Sequence, residues 1–254
     1  MRTALITGAT SGIGKAYAQE LAARGMNLVI VARNLERLEA LAGELNLDFG
    51  IEVEVLQADL SIRFDTDEVA CRAAGEDIDL VINNAGFGLK QEFIGGDLVA
   101  EQQLLDVLVT AVMRITHAAL PGMVARNQGG IINVSSMAGW LASGTYSAAK
   151  SWVTTFSESL STQLKDSRVN VMAVCPGFTR TDFFSRAEMT ETTVPEWMWL
   201  EVSQVVTESL TDFAGGNAVS VPGLQYKSLG LAAQYLPRPL VRFISVMQAR
   251  KPSN

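Results

Sequence analysis

The chain has 254 residues, 48% of them hydrophobic and 19% charged, with a formal net charge of −7. That length suits one α/β domain with a sizeable core, and the apolar share suits parallel strands buried on both faces. The acidic balance argues against a nucleic-acid partner.

Taken in order, Thr3–Thr7 is a short, apolar, β-prone run, followed directly by Gly8-Ala9-Thr10-Ser11-Gly12-Ile13-Gly14. A helical pattern then opens, with Ala16, Leu21 and Ala22 on one side and Gly25 as a stop signal. A strand, a glycine turn and a helix N-terminus together form a phosphate cradle. The glycines admit the backbone to a pyrophosphate, and the free N–H groups and helix dipole favour the anion. The spacing is Gly-x-x-x-Gly-x-Gly rather than the more familiar Gly-x-Gly-x-x-Gly.

Asn27–Ala32 predicts a second strand, 35–45 a helix, 51–57 a third strand and 78–82 a fourth. Residues 96–126 hold one long or two abutting helices. Strands are predicted at 130–134 and 169–174, with a helix over 145–164 between them. After Pro176 the pattern loosens before a last strand near 218–221. The alternation predicts right-handed βαβ units in a doubly wound parallel sheet, a single α/β domain over 1–254, with its ligands beyond the strand C-terminal ends.

Tyr146 and Lys150 lie four apart in Tyr146-Ser147-Ala148-Ala149-Lys150, so on a helix they share a face. A free tyrosine is a poor proton shuttle at neutral pH. A fixed cation beside it favours the phenolate and moves its pKa toward the working range.

Together these features identify a resemblance to the short-chain dehydrogenase/reductase family over nearly the whole chain. The matching features are Thr7-Gly8-(x)3-Gly12-Ile13-Gly14, Asp59 after strand three and Asn83-Asn84-Ala85-Gly86 after strand four. They continue with Ser136 after strand five, Tyr146-(x)3-Lys150, and Pro176-Gly177 after strand six. The resemblance implies a Rossmann-type fold and reversible hydride transfer between a nicotinamide cofactor and a carbonyl or alcohol. Tyr146 would then be the acid or base. Lys150 would tune it and bind the nicotinamide ribose, and Ser136 would polarise the substrate oxygen.

Ser135 competes with Ser136, but the family's serine stands just before an x-Ala/Gly-Gly turn, here Met137-Ala138-Gly139. Ser136 lies only ten positions before Tyr146, three fewer than is usual in the family, which keeps Ser143 as a substitute. The resemblance further assigns cofactor contacts to Gly8, Thr10, Ser11, Gly12, Ile13, Gly14, Asp59, Leu60, Asn83, Ala85, Gly86, Pro176, Gly177, Thr179 and Thr181. Asp59 would meet the adenine, Asn83 and Gly86 the adenosine pocket, and Thr181 the carboxamide.

After strand two, NAD enzymes place an acidic residue for the ribose 2′-hydroxyl. Here Val31-Ala32-Arg33-Asn34 carries no carboxylate and one guanidinium. Arg33 can pair with a 2′-phosphate, so NADP(H) is the expected cofactor. One departure stands out. Where the family has an asparagine that helps hold a water linking the lysine to solvent, Asp106-Val107-Leu108-Val109-Thr110-Ala111 places Leu108. Two readings follow: an active enzyme with a slower proton relay, or a non-catalytic NADP(H)-binding regulatory or scaffold protein.

A substrate lid is expected at about 182–215. Phe183, Phe184, Met189, Val194, Trp197, Met198, Trp199 and Leu200 either cover an apolar substrate or pack on the core or a partner subunit. The stretch from Val219 to Pro239 resembles a subgroup that includes reductases of 3-oxoacyl lipid chains. In a C-terminal extension at about 224–254, Leu240, Phe243, Ile244 and Met247 recur at helical spacing among basic residues. Such a stripe lies on a membrane or, more often, covers an oligomer contact or a core face. The family resemblance implies a homodimer or homotetramer.

His117 is the only histidine and pairs with no nucleophile or metal set. Cys71 and Cys175 lack metal spacing and read as reduced thiols, so no metal site is expected. With a first strand at residue 3 and no apolar run of spanning length, a cytoplasmic protein without a signal peptide is expected.

Overall fold

A computed structural model describes residues 2–181, 183, 194–235, 239–240 and 242. Its centre is a seven-stranded parallel sheet in the order β3-β2-β1-β4-β5-β6-β7. The strands are β1 (Thr3–Thr7), β2 (Asn27–Ala32), β3 (Val53–Gln57), β4 (Ile78–Asn83), β5 (Gly130–Val134), β6 (Asn170–Val174) and β7 (Val219–Ser220). The order reverses between β1 and β4, which makes the crevice at their C-terminal ends the natural ligand site.

Helices cover both faces, and side-chain alternation along each strand explains why the inner strands read as mostly apolar runs, whereas the edge strand β3 carries Glu54 and Gln57. In β1, Ala4 and Ile6 face α1 (Gly12–Ala23), α2 (Leu35–Phe49) and α7 (Val202–Ala214). Leu5 faces the opposite layer with α3 (Arg63–Ala73) and α5 (Val112–Ala125). The strand bounds expected from sequence differ from those observed by at most two residues. Three helices were not anticipated, α3, α7 and α8 (Leu224–Tyr235). The α3 stripe is short (Thr66, Val69, Ala70, Ala73) and the rest of that helix is mostly charged.

The segment read as one or two helices is one continuous helical rod: α4 (Leu98–Leu105), a π-helical turn (Asp106–Ala111) and α5. By length and composition alone this rod could cross a membrane, contrary to the expectation that no such run exists. Here its Val107, Ala111, Ile115, Ala119 and Met123 form core against the sheet.

Part of the expected lid is also core. In α7, Val205, Val206, Ser209 and Leu210 are buried, and the Tyr17 hydroxyl meets Ser209 Oγ at 2.5 Å. Residues 182 and 184–193, with Phe184 and Met189, lie outside the described residues, as do Phe243, Ile244 and Met247. His117 is exposed on α5, Cys71 is exposed and Cys175 is buried.

Candidate active site

The glycine turn after β1 forms the floor of an open cleft of about 750 Å³. Gly8 has φ +67, a left-handed conformation that suits a residue without Cβ. A Cβ on Gly14 would fall 2.3 Å from Gly8 O and 2.4 Å from Asn84 Nδ2, so only glycine lets α1 begin this close to the turn. Asn84 donates to Thr7 O at 3.0 Å and to Gly8 O at 3.2 Å. Thr7 Oγ1 accepts from the N–H groups of Asn84 and Ala85, both at 3.0 Å. The β1 and β4 exits are therefore tied together, and the cradle is rigid before any ligand arrives.

Of the residues expected at the cofactor, Gly8, Thr10, Ser11, Gly12, Ile13, Arg33, Asp59, Leu60, Ala85, Gly86, Pro176, Gly177, Thr179 and Thr181 line this one cleft. Two do not. Gly14 lies behind the turn, and Asn83 points into the sheet-helix layer. Asn83 Nδ2 donates to Asn133 Oδ1 at 2.8 Å and to Thr116 Oγ1 at 3.2 Å. Its neighbour Asn84 lines the cleft instead, because successive strand residues face opposite ways.

The Asp59 carboxylate is engaged locally, accepting from Ser61 N at 3.0 Å and Ser61 Oγ at 2.8 Å. Arg37, one helical turn beyond Arg33, also lines the cleft. It was not among the residues expected there; Arg33 precedes the Asn34 cap of α2 and Arg37 lies in the helix's first turn. The residues that follow β2 bring two cations, Arg33 and Arg37, to that end of the cleft. The one carboxylate there, Asp59 after β3, is engaged by Ser61, which fits a group bearing an extra phosphate.

At the other end, β5 and α6 (Gly144–Gln163) bring Ser136, Tyr146 and Lys150 into the same cleft. Ser136 caps a short 3₁₀ turn, Met137–Trp140, accepting from Ala138 N at 3.1 Å. The Tyr146 phenol lines the same cleft, near enough to the serine for Ser136 to lower its pKa. Ser135 is turned away: its Oγ donates to Lys150 O at 2.7 Å and meets Thr154 Oγ1 at 2.8 Å. Of the two neighbouring serines, Ser136 is thus the one beside the phenol, while Ser135 holds the lysine backbone. Ser143 lies just before α6 and lines an adjoining chamber, not this cleft.

Lys150 is 5% exposed, and its Nζ donates to Val134 O at 2.6 Å, 5.9 Å from the centre of the Tyr146 ring. Burial lowers its pKa to about 8. Burial also pushes the Tyr146 phenol up to about 12, partly offset by Ser136. This differs from the expectation that the lysine lowers the phenol. In this arrangement the ammonium bonds to the strand, and desolvation of the phenolate dominates.

Leu108 lies at the centre of the π turn, fully buried with Leu104 and Ala149. A Cβ on Gly86 would sit 2.8 Å from Leu108 Cδ2 and 3.8 Å from Lys150 Nζ, so the leucine lies close beside the lysine.

The segment after β6 is held from outside. The Tyr226 hydroxyl accepts from Phe178 N at 3.0 Å and donates to Met198 O at 2.6 Å. Arg180 pairs with Glu196 and Glu201 and lies 5.5 Å over the Trp199 ring. Of the expected lid residues, Met198, Trp199 and Leu200 pack inward, Trp197 is exposed, and Phe183 approaches Tyr146 with ring centres 5.9 Å apart.

Residues 2–192 match the family model described as short chain dehydrogenase. The chain belongs to the short-chain dehydrogenase family. Over 186 residues it is 37% identical to a very-long-chain 3-oxoacyl-CoA reductase of Anas platyrhynchos, an alignment covering 70% of this chain and 60% of that protein. The chain therefore spans about 60% of the length of this curated relative.

Two solved family structures cover nearly everything. A short-chain dehydrogenase from Sphingobium yanoikuyae, in complex with NADPH, has a TM-score of 0.85 at 35% identity, covering 94% of this chain and 97% of that one. A bulky-bulky ketone specific alcohol dehydrogenase from Comamonas testosteroni has a TM-score of 0.81 at 32% identity, covering 94% and 96%.

Proposed function

We propose that this short-chain dehydrogenase is an NADPH-dependent reductase of an apolar ketone, of the 3-oxoacyl or another bulky type. One observation carries the reading: Ser136 and Tyr146 share a single cleft with Lys150, the glycine cradle and the Arg33–Arg37 pair. The NADPH complex of the Sphingobium relative and the substrates named for the Comamonas and Anas relatives support it.

Bound in the cleft, the nicotinamide cofactor would supply the hydride. Ser136 and Tyr146 hydrogen-bond the substrate oxygen, which accepts from both as negative charge develops on it. Tyr146 Oη then gives up its proton to that oxygen. The buried phenol stays protonated through the neutral range, which suits it to act as an acid. Lys150 Nζ stands by to compensate the phenolate left behind.

The decisive experiment is NADPH oxidation with 3-oxoacyl, ring-ketone and small-ketone substrates. Tyr146→Phe is expected to remove about 10²–10⁴ of the rate while leaving NADPH binding intact. Tight NADPH binding without turnover on any ketone would overturn the reading and favour a cofactor-binding regulatory protein, the role Leu108 leaves open.

A further inference from the structure

Beside the cofactor cleft lies a second chamber of about 490 Å³, and the two share one lining residue, Tyr146. A substrate whose carbonyl meets Tyr146 from the cofactor side extends into this chamber. Leu89, Phe93 and Leu104 give it apolar walls, and its rim is exposed at Phe93 and Ile94.

One wall does not fit a purely apolar ligand. Glu101, on the first turn of α4, lines the chamber and is 93% buried. Gln91 holds half of its carboxylate, Nε2 donating to Oε1 at 2.9 Å. Gln91 is itself fixed at the helix start, donating to Asp97 O and accepting from Asp97 N, both at 3.1 Å. Among the described residues, Glu101 Oε2 has no hydrogen-bond partner. A buried carboxylate oxygen left in that state is costly, and a donor that meets it recovers the cost. Oε2 is itself shut off from solvent. The terminal torsion of glutamate is soft, so a ligand in the chamber that Glu101 lines would draw Oε2 toward it by a rotation of the carboxyl that also resets the Gln91 bond.

We propose that Glu101 is a specificity-determining residue, and that the substrate is an apolar ketone carrying a distal hydrogen-bond donor, a hydroxyl or an amine, which Oε2 receives. The inference rests on the reductase reading and narrows it. A saturated acyl chain in the same place would leave Oε2 unpaired, whereas a hydroxylated skeleton pairs it. Sites built around such a group discriminate strongly against the analogue that lacks it.

The test uses the full chain and two polycyclic apolar ketones alike except for one distal hydroxyl. Binding of each to the NADPH complex is measured by calorimetry, and turnover by NADPH oxidation. Wild type is expected to favour the hydroxylated ketone by about tenfold or more in both Kd and kcat/KM. Glu101→Gln, whose carbonyl still accepts, should keep part of that preference. Glu101→Leu should abolish it while retaining activity on the deoxy ketone. Equal binding of the two ketones by wild type, binding of neither, or a preference that survives in Glu101→Leu overturns the inference. Turnover of both ketones without preference leaves the reductase reading standing. A Glu101-dependent binding preference without any turnover sinks the reductase reading and keeps the subsite.

Discussion

The ring of Tyr226 lies flat against Gly177: a Cβ built on that glycine would fall 2.0 Å from the ring's Cζ. With its hydroxyl bridging Phe178 N and Met198 O, this tyrosine braces the segment that carries Thr179 and Thr181 into the cleft. Tyr226→Phe strips two backbone groups of their partner, a loss of about 1–3 kcal/mol. The expected result is a lower Tm and a raised KM for NADPH, with little change in kcat. Gly177→Ala should be far more damaging, since the ring and the backbone cannot both stay. An unchanged NADPH KM in Tyr226→Phe would show that the segment is held without it.

At the far end of the cleft, Arg33 and Arg37 should act together on the 2′-phosphate. Replacing either by alanine is expected to weaken NADPH by about tenfold while leaving NADH almost untouched, since charged hydrogen bonds are lost only with the former. Comparing kcat/KM for the two cofactors checks this. Equal losses for both would mean that the arginines serve the fold or the shared pyrophosphate.

Leu108→Asn puts a carboxamide beside Lys150 Nζ, where the family keeps one. The site is buried in an apolar cluster, so the change should cost about 1–3 kcal/mol of stability. If proton resupply limits the wild type, kcat should nonetheless rise, with a smaller solvent isotope effect. A fall in Tm with kcat unchanged would show that Lys150 is reprotonated along another path.

The buried lysine also predicts a stability profile. In the fold Lys150 loses its proton near pH 8, whereas in the unfolded chain it keeps it to about 10.5. Between those values the unfolded chain binds more protons, so this lysine makes stability rise with pH. Cys175, pushed up to about 11 by burial, has the opposite sign above about pH 9, as does Tyr146 above about pH 10. Chemical denaturation from about pH 8 to about pH 9 should show the rise in wild type and lose it in Lys150→Met. The same slope in both would contradict the shift.

Much of this was legible in the sequence because it depends on local pattern. Apolar strand runs, a glycine turn and a tyrosine–lysine pair at helical spacing each have a signature within a few residues. What escaped reading depends on orientation or on distant partners. Asn83 and Asn84 look interchangeable in sequence, yet the pleat sends one inward and the other to the cleft. Ser136, by contrast, is told from Ser135 in sequence by the Met137-Ala138-Gly139 turn that follows it, a local signal. Glu101 reads as a solvated charge at the start of a helix. Its burial accompanies the bonds of Gln91 to Glu101 and to Asp97, a loop conformation that no residue pattern announces. Residues 202–214 read as lid because their amphipathic stripe does not say which surface it meets; that surface is α1.

The Asn83–Asn133 contact has a consequence for how the two halves of the site are aligned. These residues are direct partners in the β4–β5 ladder, nearly alone as polar groups among aliphatic ones, and Asn133 also donates to Ser157 Oγ on α6 at 3.0 Å. Aliphatic strands can slide past one another at modest cost, but a slip of one residue here would turn the amides to opposite faces and strand both in the core. The pair therefore acts as an index mark. It fixes how far β4 and β5 run before they open into Asn84–Gly86 and Ser135–Ser136, and so keeps the cofactor-side loop and the proton-donor loop level with each other.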